Sequence, residues 1–221
     1  MLTVYDSLEQ GTEEWHAARR GIVTASVVGK LITPTLRVAD NDVSRGVTAS
    51  LVAERITGVT EESVMTQDMW RGCEAEPYAR DIYSGHYQQA VEVGFMKREE
   101  EDWTLGYSPD GLVGSDGLIE VKAPRAKGHL LAILNDGVPP YYMAQLQAGL
   151  LVSGREWIDY VSFHGGLPLF VKRVHPDQKW FDAITAACVA FEKNAQEMFG
   201  RYVGRASNMP KTERIDFELV I

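Results

Sequence analysis

The sequence lacks membrane spans, disulfide frameworks and flexible linkers. None of its apolar runs approaches the ~20 residues a membrane-crossing helix needs. The opening Met1-Leu2-Thr3-Val4-Tyr5-Asp6 has neither the basic region nor the apolar stretch of a signal peptide, so a cytoplasmic location without a membrane partner is expected. Two cysteines, Cys73 and Cys188, are too few for a disulfide framework, a four-thiolate metal site or an iron–sulfur cluster, and each is expected to be a small buried hydrophobe. The histidines at 16, 86, 129, 164 and 175 show no ligand spacing, which argues against zinc. Basic charge is also scarce: 22 Lys plus Arg stand against 31 Asp plus Glu, a net of −9. This argues against bulk electrostatic coating of nucleic acid, but not against an enzyme with local phosphate contacts and carboxylate metal ligands.

What is present fits an ordinary globular protein: 221 residues, 45% hydrophobic, 24% charged and 10% aromatic, enough to bury a substantial core. Without repeats or a Pro/Gly/Ser-rich linker, one domain over 1–221 is expected, with a helical amino-terminal region over about 1–60 and a tail over about 201–221. Thr12-Glu13-Glu14-Trp15 is a helix start, stopped by Arg19, Arg20 and Gly21. A second start follows at Thr24-Ala25-Ser26. Val43 to Ile56 has helical spacing before Gly58, and Gln67 to Tyr83 is helical, with Pro77 marking a kink or a late start. Strand patterns follow at Ala90–Met96, Trp103–Tyr107 and Leu118–Ala123, then a helix at Tyr141–Val152, strands at Trp157–Phe163 and Leu169–Val174, and a long helix from about Asp177 to Phe199. This order implies an α/β (α+β) fold around a central mixed sheet. The tail ends in a strand-like Phe217–Ile221, suited to docking on a neighbouring subunit.

Chemistry concentrates in Tyr107-Ser108-Pro109-Asp110-Gly111 and Ile119-Glu120-Val121-Lys122. Asp110 follows a strand at a turn, and Glu120 and Lys122, two apart on a strand, share a face. A turn at Gly114-Ser115-Asp116-Gly117 brings Asp110 back beside Glu120. Two carboxylates suit a hard cation such as Mg²⁺, with Mn²⁺ as a substitute. A lysine beside them suits the orientation or deprotonation of a water and the offset of phosphoryl charge. Turn chemistry and a solvated Glu-x-Lys pair would explain the same residues. The alternation of Glu120 and Lys122 with Ile119 and Val121, in what reads as a central strand, favours the site. Lys122, Arg125 and Lys127, with His129, form a local basic strip suited to phosphate contact.

Ser108-Pro109-Asp110 with Glu120-Val121-Lys122 resembles the signature of the restriction-endonuclease-like nuclease superfamily. Further blocks narrow the resemblance to the lambda-type phage recombination (alkaline) exonucleases: Gln10 to Arg19 with Gly21 to Ser26, Trp70 to Arg80, and Tyr142-Met143-Ala144-Gln145-Leu146-Gln147. These blocks run in order from about residue 10 to about 150. The resemblance implies a Mg²⁺-dependent 5′-to-3′ exonuclease acting on linear double-stranded DNA and leaving 3′ single strands for recombination. Asp110, Glu120 and the Val121 carbonyl would be metal ligands, Glu76 an additional catalytic acid and Lys122 the catalytic lysine. Arg19, Thr24 and Ser26 would hold the terminal 5′-phosphate, Trp15 would lie near the DNA end, and Tyr142 and Gln145 would support the catalytic strand or contact phosphate. The resemblance further implies a homotrimeric ring, its subunit contacts expected from the helical amino-terminal region or the Phe217–Ile221 tail, a single-strand annealing protein as partner and a phage or bacterial host cell. A site- or structure-specific endonuclease and an inactive DNA-binding relative are the alternatives on the same fold, the latter opposed by the intact Asp110, Glu120 and Lys122.

Overall fold

A computed structural model describes residues 1–60 and 65–214. Its elements in chain order are β1 (Leu2–Tyr5), α1 (Glu13–Arg19), β2 (Val23–Thr24), α2 (Ala25–Val28), α3 (Asp42–Thr57), α4 (Gln67–His86), β3 (Ala90–Val91), β4 (Phe95–Glu99), β5 (Thr104–Tyr107), β6 (Gly111–Val113), β7 (Gly117–Lys122), α5 (Ala126–Leu134), α6 (Met143–Ser153), β8 (Trp157–Ser162), β9 (Phe170–Val174) and α7 (Gln178–Ala206). The class is mixed α/β, as expected, but the strands form two sheets rather than one. The smaller has the order β1-β4-β5-β2 and the larger β3-β6-β7-β8-β9. The expected strand over Ala90–Met96 is in fact two, β3 and β4, one in each sheet. They part at Gly94, where an added Cβ would sit 1.9 Å from the Leu8 carbonyl oxygen. Two short strands, β1 and β2, interrupt the amino-terminal region expected to be helical.

Helix ends follow local chemistry. The Thr12 side chain accepts from the Trp15 amide at the start of α1. Asn41 and Ser44 form a reciprocal cap at the start of α3, and Gly58, at φ 69°, closes it. Helix α4 runs through Pro77 and begins ten residues before it, so Pro77 marks no late start. Helix α7 continues to Ala206, past the expected end near Phe199, because Gly200 is accommodated within it. The first residues of the predicted tail are therefore helical, and Phe217–Ile221 lies outside the described residues.

The larger sheet positions the site. Strand β7 lies between antiparallel β6 and parallel β8. Its Leu118 side packs into the core shared with α6 and α7, and its Ile119 and Val121 side packs into the smaller core under α4. Both faces are covered, so the carboxylate of Glu120, 1% exposed, needs partners.

Candidate active site

The β6–β7 register pairs Gly111 with Ile119, which sets Asp110 opposite Glu120 one step beyond the ladder. The turn expected at 114–117 makes this approach, with Gly114 at φ 53°. Asp110 Oδ2 accepts from the Val121 amide at 2.6 Å. Glu120 Oε1 accepts from Lys122 Nζ at 2.7 Å and from Gln145 Nε2 at 2.6 Å, while its Oε2 accepts from the Tyr107 hydroxyl at 2.9 Å. Burial, reinforced by Glu120 and Glu76, holds the Asp110 carboxyl well above the usual carboxylate range. Burial opposes charge on Lys122, but Glu120 and Asp110 outweigh it and raise its ammonium, which stays protonated at neutral pH. Burial and the same acids raise the Tyr107 phenol, keeping it a donor. The Tyr142 ring lies 5.4 Å from Lys122 Nζ, and burial pushes its phenol up to about 12.

Glu76 sits in the middle of α4, not in its first turn. Arg80, one turn later, donates to Glu76 Oε1 at 2.8 Å, to the Asp110 carbonyl at 2.6 Å and to Glu92 at 2.9 Å. It thereby ties the helix acid to the backbone of the turn that carries Asp110. Burial nevertheless raises the Glu76 carboxyl, against the pull of Arg80.

The opposite wall comes from α1 and the segment leading into α2. The Arg19 guanidinium lies 3.7 Å from the Trp15 ring centroid and donates to Ser108 Oγ at 2.8 Å, and the Trp15 indole donates to the same oxygen at 3.0 Å. Ser108 thus has both acceptor positions filled, and its own proton remains for another oxygen. Burial lowers Arg19 to about 10, so it remains a cation at neutral pH. Thr24 and Ser26 have their hydroxyls 3.1 Å apart.

One cleft of about 650 Å³ is lined by both walls: Trp15, Arg19, Thr24 and Ser26 on one side, Glu76, Asp110, Glu120, Val121 and Lys122 on the other, and Arg125, Tyr142 and Gln145 around them. Every anticipated site residue except Lys127 lines it. Lys127 is exposed in the first turn of α5, and His129 is buried against Ser162 and the Pro168 carbonyl, so the expected basic strip is split by a helix where the sequence pattern gives none. Arg125, at the start of that helix, reaches Asp68 at 3.2 Å. Cys73, expected to be buried, is exposed and lines the cleft; Cys188 is buried as expected, its thiol pushed up to about 12 by burial. Tyr107, Ser108 and Arg80 carry no assigned role in the sequence reading. Ser108 and Arg80 stand inside the motif blocks that carry the family resemblance, and Tyr107 directly precedes the first of them, but none of these positions by itself indicates which partner the fold will bring to it.

Among the described residues, no three His, Cys, Asp or Glu side chains gather as a ready-made metal cage. Asp110, Glu120 and the Val121 carbonyl offer hard oxygens side by side, the two acids facing each other across the start of the β6–β7 ladder. This donor set fits Mg²⁺, which binds through one or two carboxylates and completes its shell with water and phosphate oxygens. Among the described residues, no helix is long and apolar enough to cross a membrane.

The model of the YqaJ-like viral recombinase domain matches residues 14–156. An alkaline exonuclease from Laribacter hongkongensis, LHK-Exo, is similar in structure at a TM-score of 0.80 and 33% identity, over 90% of this chain and 100% of its own. The same protein in complex with dAMP matches with the same values. A phage-related exonuclease from Haemophilus somnus 129PT, 15% identical over 81% of this chain and 96% of its own, shares the fold at a TM-score of 0.60. No curated protein matches the sequence.

Proposed function

The chain belongs to the YqaJ-like viral recombinase domain family, and from that premise we propose that it is a Mg²⁺-dependent 5′-to-3′ exonuclease on linear double-stranded DNA, leaving 3′ single strands for recombination. The observation that carries this is one cleft with Asp110, Glu120 and Lys122 on one wall and Arg19, Thr24 and Ser26 on the other. Asp110, Glu120 and the Val121 carbonyl would hold the cation, which would supply Lewis-acid stabilisation of phosphoryl charge. Protonated Lys122 adds a point charge beside the reacting phosphate and orients the attacking water. Glu76, fixed by Arg80, holds a further carboxylate beside the acids. Arg19, with the hydroxyls of Thr24, Ser26 and Ser108, takes the terminal 5′-phosphate through charge-assisted hydrogen bonds. Ser108 and Asp110 are two residues apart, so the end pocket and the cutting centre are joined through Pro109, an arrangement suited to short steps from a terminus. Trp15 and Arg125 flank the DNA. The working form is a homotrimeric ring in the cytoplasm of a phage-infected or bacterial cell, handing its 3′ strand to a single-strand annealing protein.

Digestion of linear duplex labelled at either end, with and without Mg²⁺, tests the proposal. Loss of the 5′ label first, only with the cation and only from linear DNA, is expected. Cutting of closed circles would favour an endonuclease.

A further inference from the structure

Glu120 is a carboxylate enclosed by protein, and its two oxygens are used unequally. Oε1 accepts from both Lys122 and Gln145, which occupies that oxygen, whereas among the described residues Oε2 accepts from Tyr107 alone. A carboxylate offers about four acceptor positions, so one on Oε2 stays open. We infer that Tyr107 is a positioning residue: its hydroxyl fixes the rotation of the Glu120 carboxylate so that the open position on Oε2 serves the cation, and Gly149 seats the ring that carries the hydroxyl. The inference rests on the proposed role of Glu120 as a metal ligand and extends it to a residue that touches no substrate.

The seating is built from two directions. Tyr107 closes β5 and is 1% exposed, held in the core shared by both sheets and α6. Its ring lies against the α6 backbone at Gly149, where an added Cβ would come within 2.8 Å of ring Cζ and 2.9 Å of Cε1. Gly149 stands one turn after Gln145, on the same helical face. One helix therefore supports both carboxylate oxygens, Oε1 through the Gln145 amide and Oε2 through the ring that Gly149 admits. Packing alone does not need the hydroxyl, since phenylalanine fills the same volume. Among the described residues, Glu120 is the hydrogen-bond partner of that hydroxyl. Outer partners that orient metal ligands alter affinity for the metal as well as turnover.

The test compares wild type, Tyr107→Phe and Gly149→Ala by calorimetric titration of Mn²⁺ into the DNA-free protein, alongside Mg²⁺-dependent turnover on a linear duplex. Tyr107→Phe keeps the ring and its packing, so a near-unchanged melting temperature is expected. Its Mn²⁺ affinity should fall about tenfold to a hundredfold. The Mg²⁺ needed for half-maximal turnover should rise in step, KM for DNA should hold, and excess Mg²⁺ should recover most of kcat. Gly149→Ala should move metal affinity in the same direction by displacing the ring, and it decides the matter if the phenylalanine variant fails to fold. Wild-type Mn²⁺ affinity in the folded variant would overturn the inference, as would a loss of turnover that no Mg²⁺ concentration relieves. Wild-type protein that binds Mn²⁺ but cuts no DNA would count against the nuclease proposal while leaving the calorimetric comparison valid.

Discussion

At Asp110 the protein holds a carboxyl where burial and two neighbouring acids oppose ionisation. Its folded value lies above its unfolded one, so its contribution to stability is present below about pH 3.9 and is lost as pH rises through the raised folded value. Thermal melts of the metal-free protein should therefore show stability falling with pH across that window. Asp110→Asn should flatten the slope and raise the melting temperature at neutral pH by about 2–4 °C, equivalent to roughly 1 kcal/mol. A cation competes with the proton, so stabilisation by Mg²⁺ should grow with pH; an Mg²⁺ shift independent of pH would count against Asp110 as a ligand. Asp110→Ala, Glu120→Ala and Lys122→Ala should each lower cleavage by about a thousandfold or more with circular dichroism unchanged. Arg19→Ala should instead erase the preference for 5′-phosphorylated over hydroxyl ends by about tenfold to a hundredfold. Equal loss on both ends would remove Arg19 from the end pocket. Much of this site was legible because acids and a lysine two or ten positions apart imply a shared face or a returning strand. Tyr107 and Arg80 were not legible, because their role lies in the partner a folded chain brings to them.

Elements with long periodic patterns were legible: α3, read over Val43 to Ile56 before Gly58, and α7 from Asp177. Those decided by partners were not. Strand β2 spans two residues and exists because β5 lies parallel beside it, while β6 is three residues held by β7. No periodicity can register in so few positions. Helix α5 was hidden by its basic start, Arg125-Ala126-Lys127, which reads as a phosphate-binding loop. The turn that creates the site depends on Gly117, where an added Cβ would lie 2.1 Å from the Trp157 ring. That ring cannot easily retreat: Arg173 stacks on it at 3.5 Å and its indole donates to Asp116 at 3.2 Å. Gly117→Ala should therefore destabilise by about 1–3 kcal/mol and, by shifting the start of β7, lower turnover further than stability alone explains. Chemical denaturation with activity measured well below the transition checks both; wild-type stability would show that the ring yields.

On the scale of the whole molecule, the difficulty is retention on DNA by a chain of net charge −9. Bulk attraction to phosphate is weak, and the cations of the cleft are few and partly committed: Arg19 to Ser108, Lys122 to Glu120, Arg125 to Asp68. The proposed closed ring of three copies would retain a duplex by topology instead, since release would need opening or arrival at an end. Subunit contacts need apolar surface, and the structure offers it on α5, where Leu130, Leu131 and Leu134 are 49%, 45% and 68% exposed, with Tyr141 at 72%. Because Arg125 both starts α5 and lines the cleft, contacts there would set the three cleft mouths around a common axis. Light scattering should give a mass near three times 24.6 kDa. Leu134→Glu, which sets a charge among these residues, should lower it to that of one chain without unfolding. The variant should still trim short duplexes but release long ones after few steps, and its activity should fall steeply with salt as topology stops substituting for charge. A wild-type monomer that degrades long duplexes without release would refute the ring.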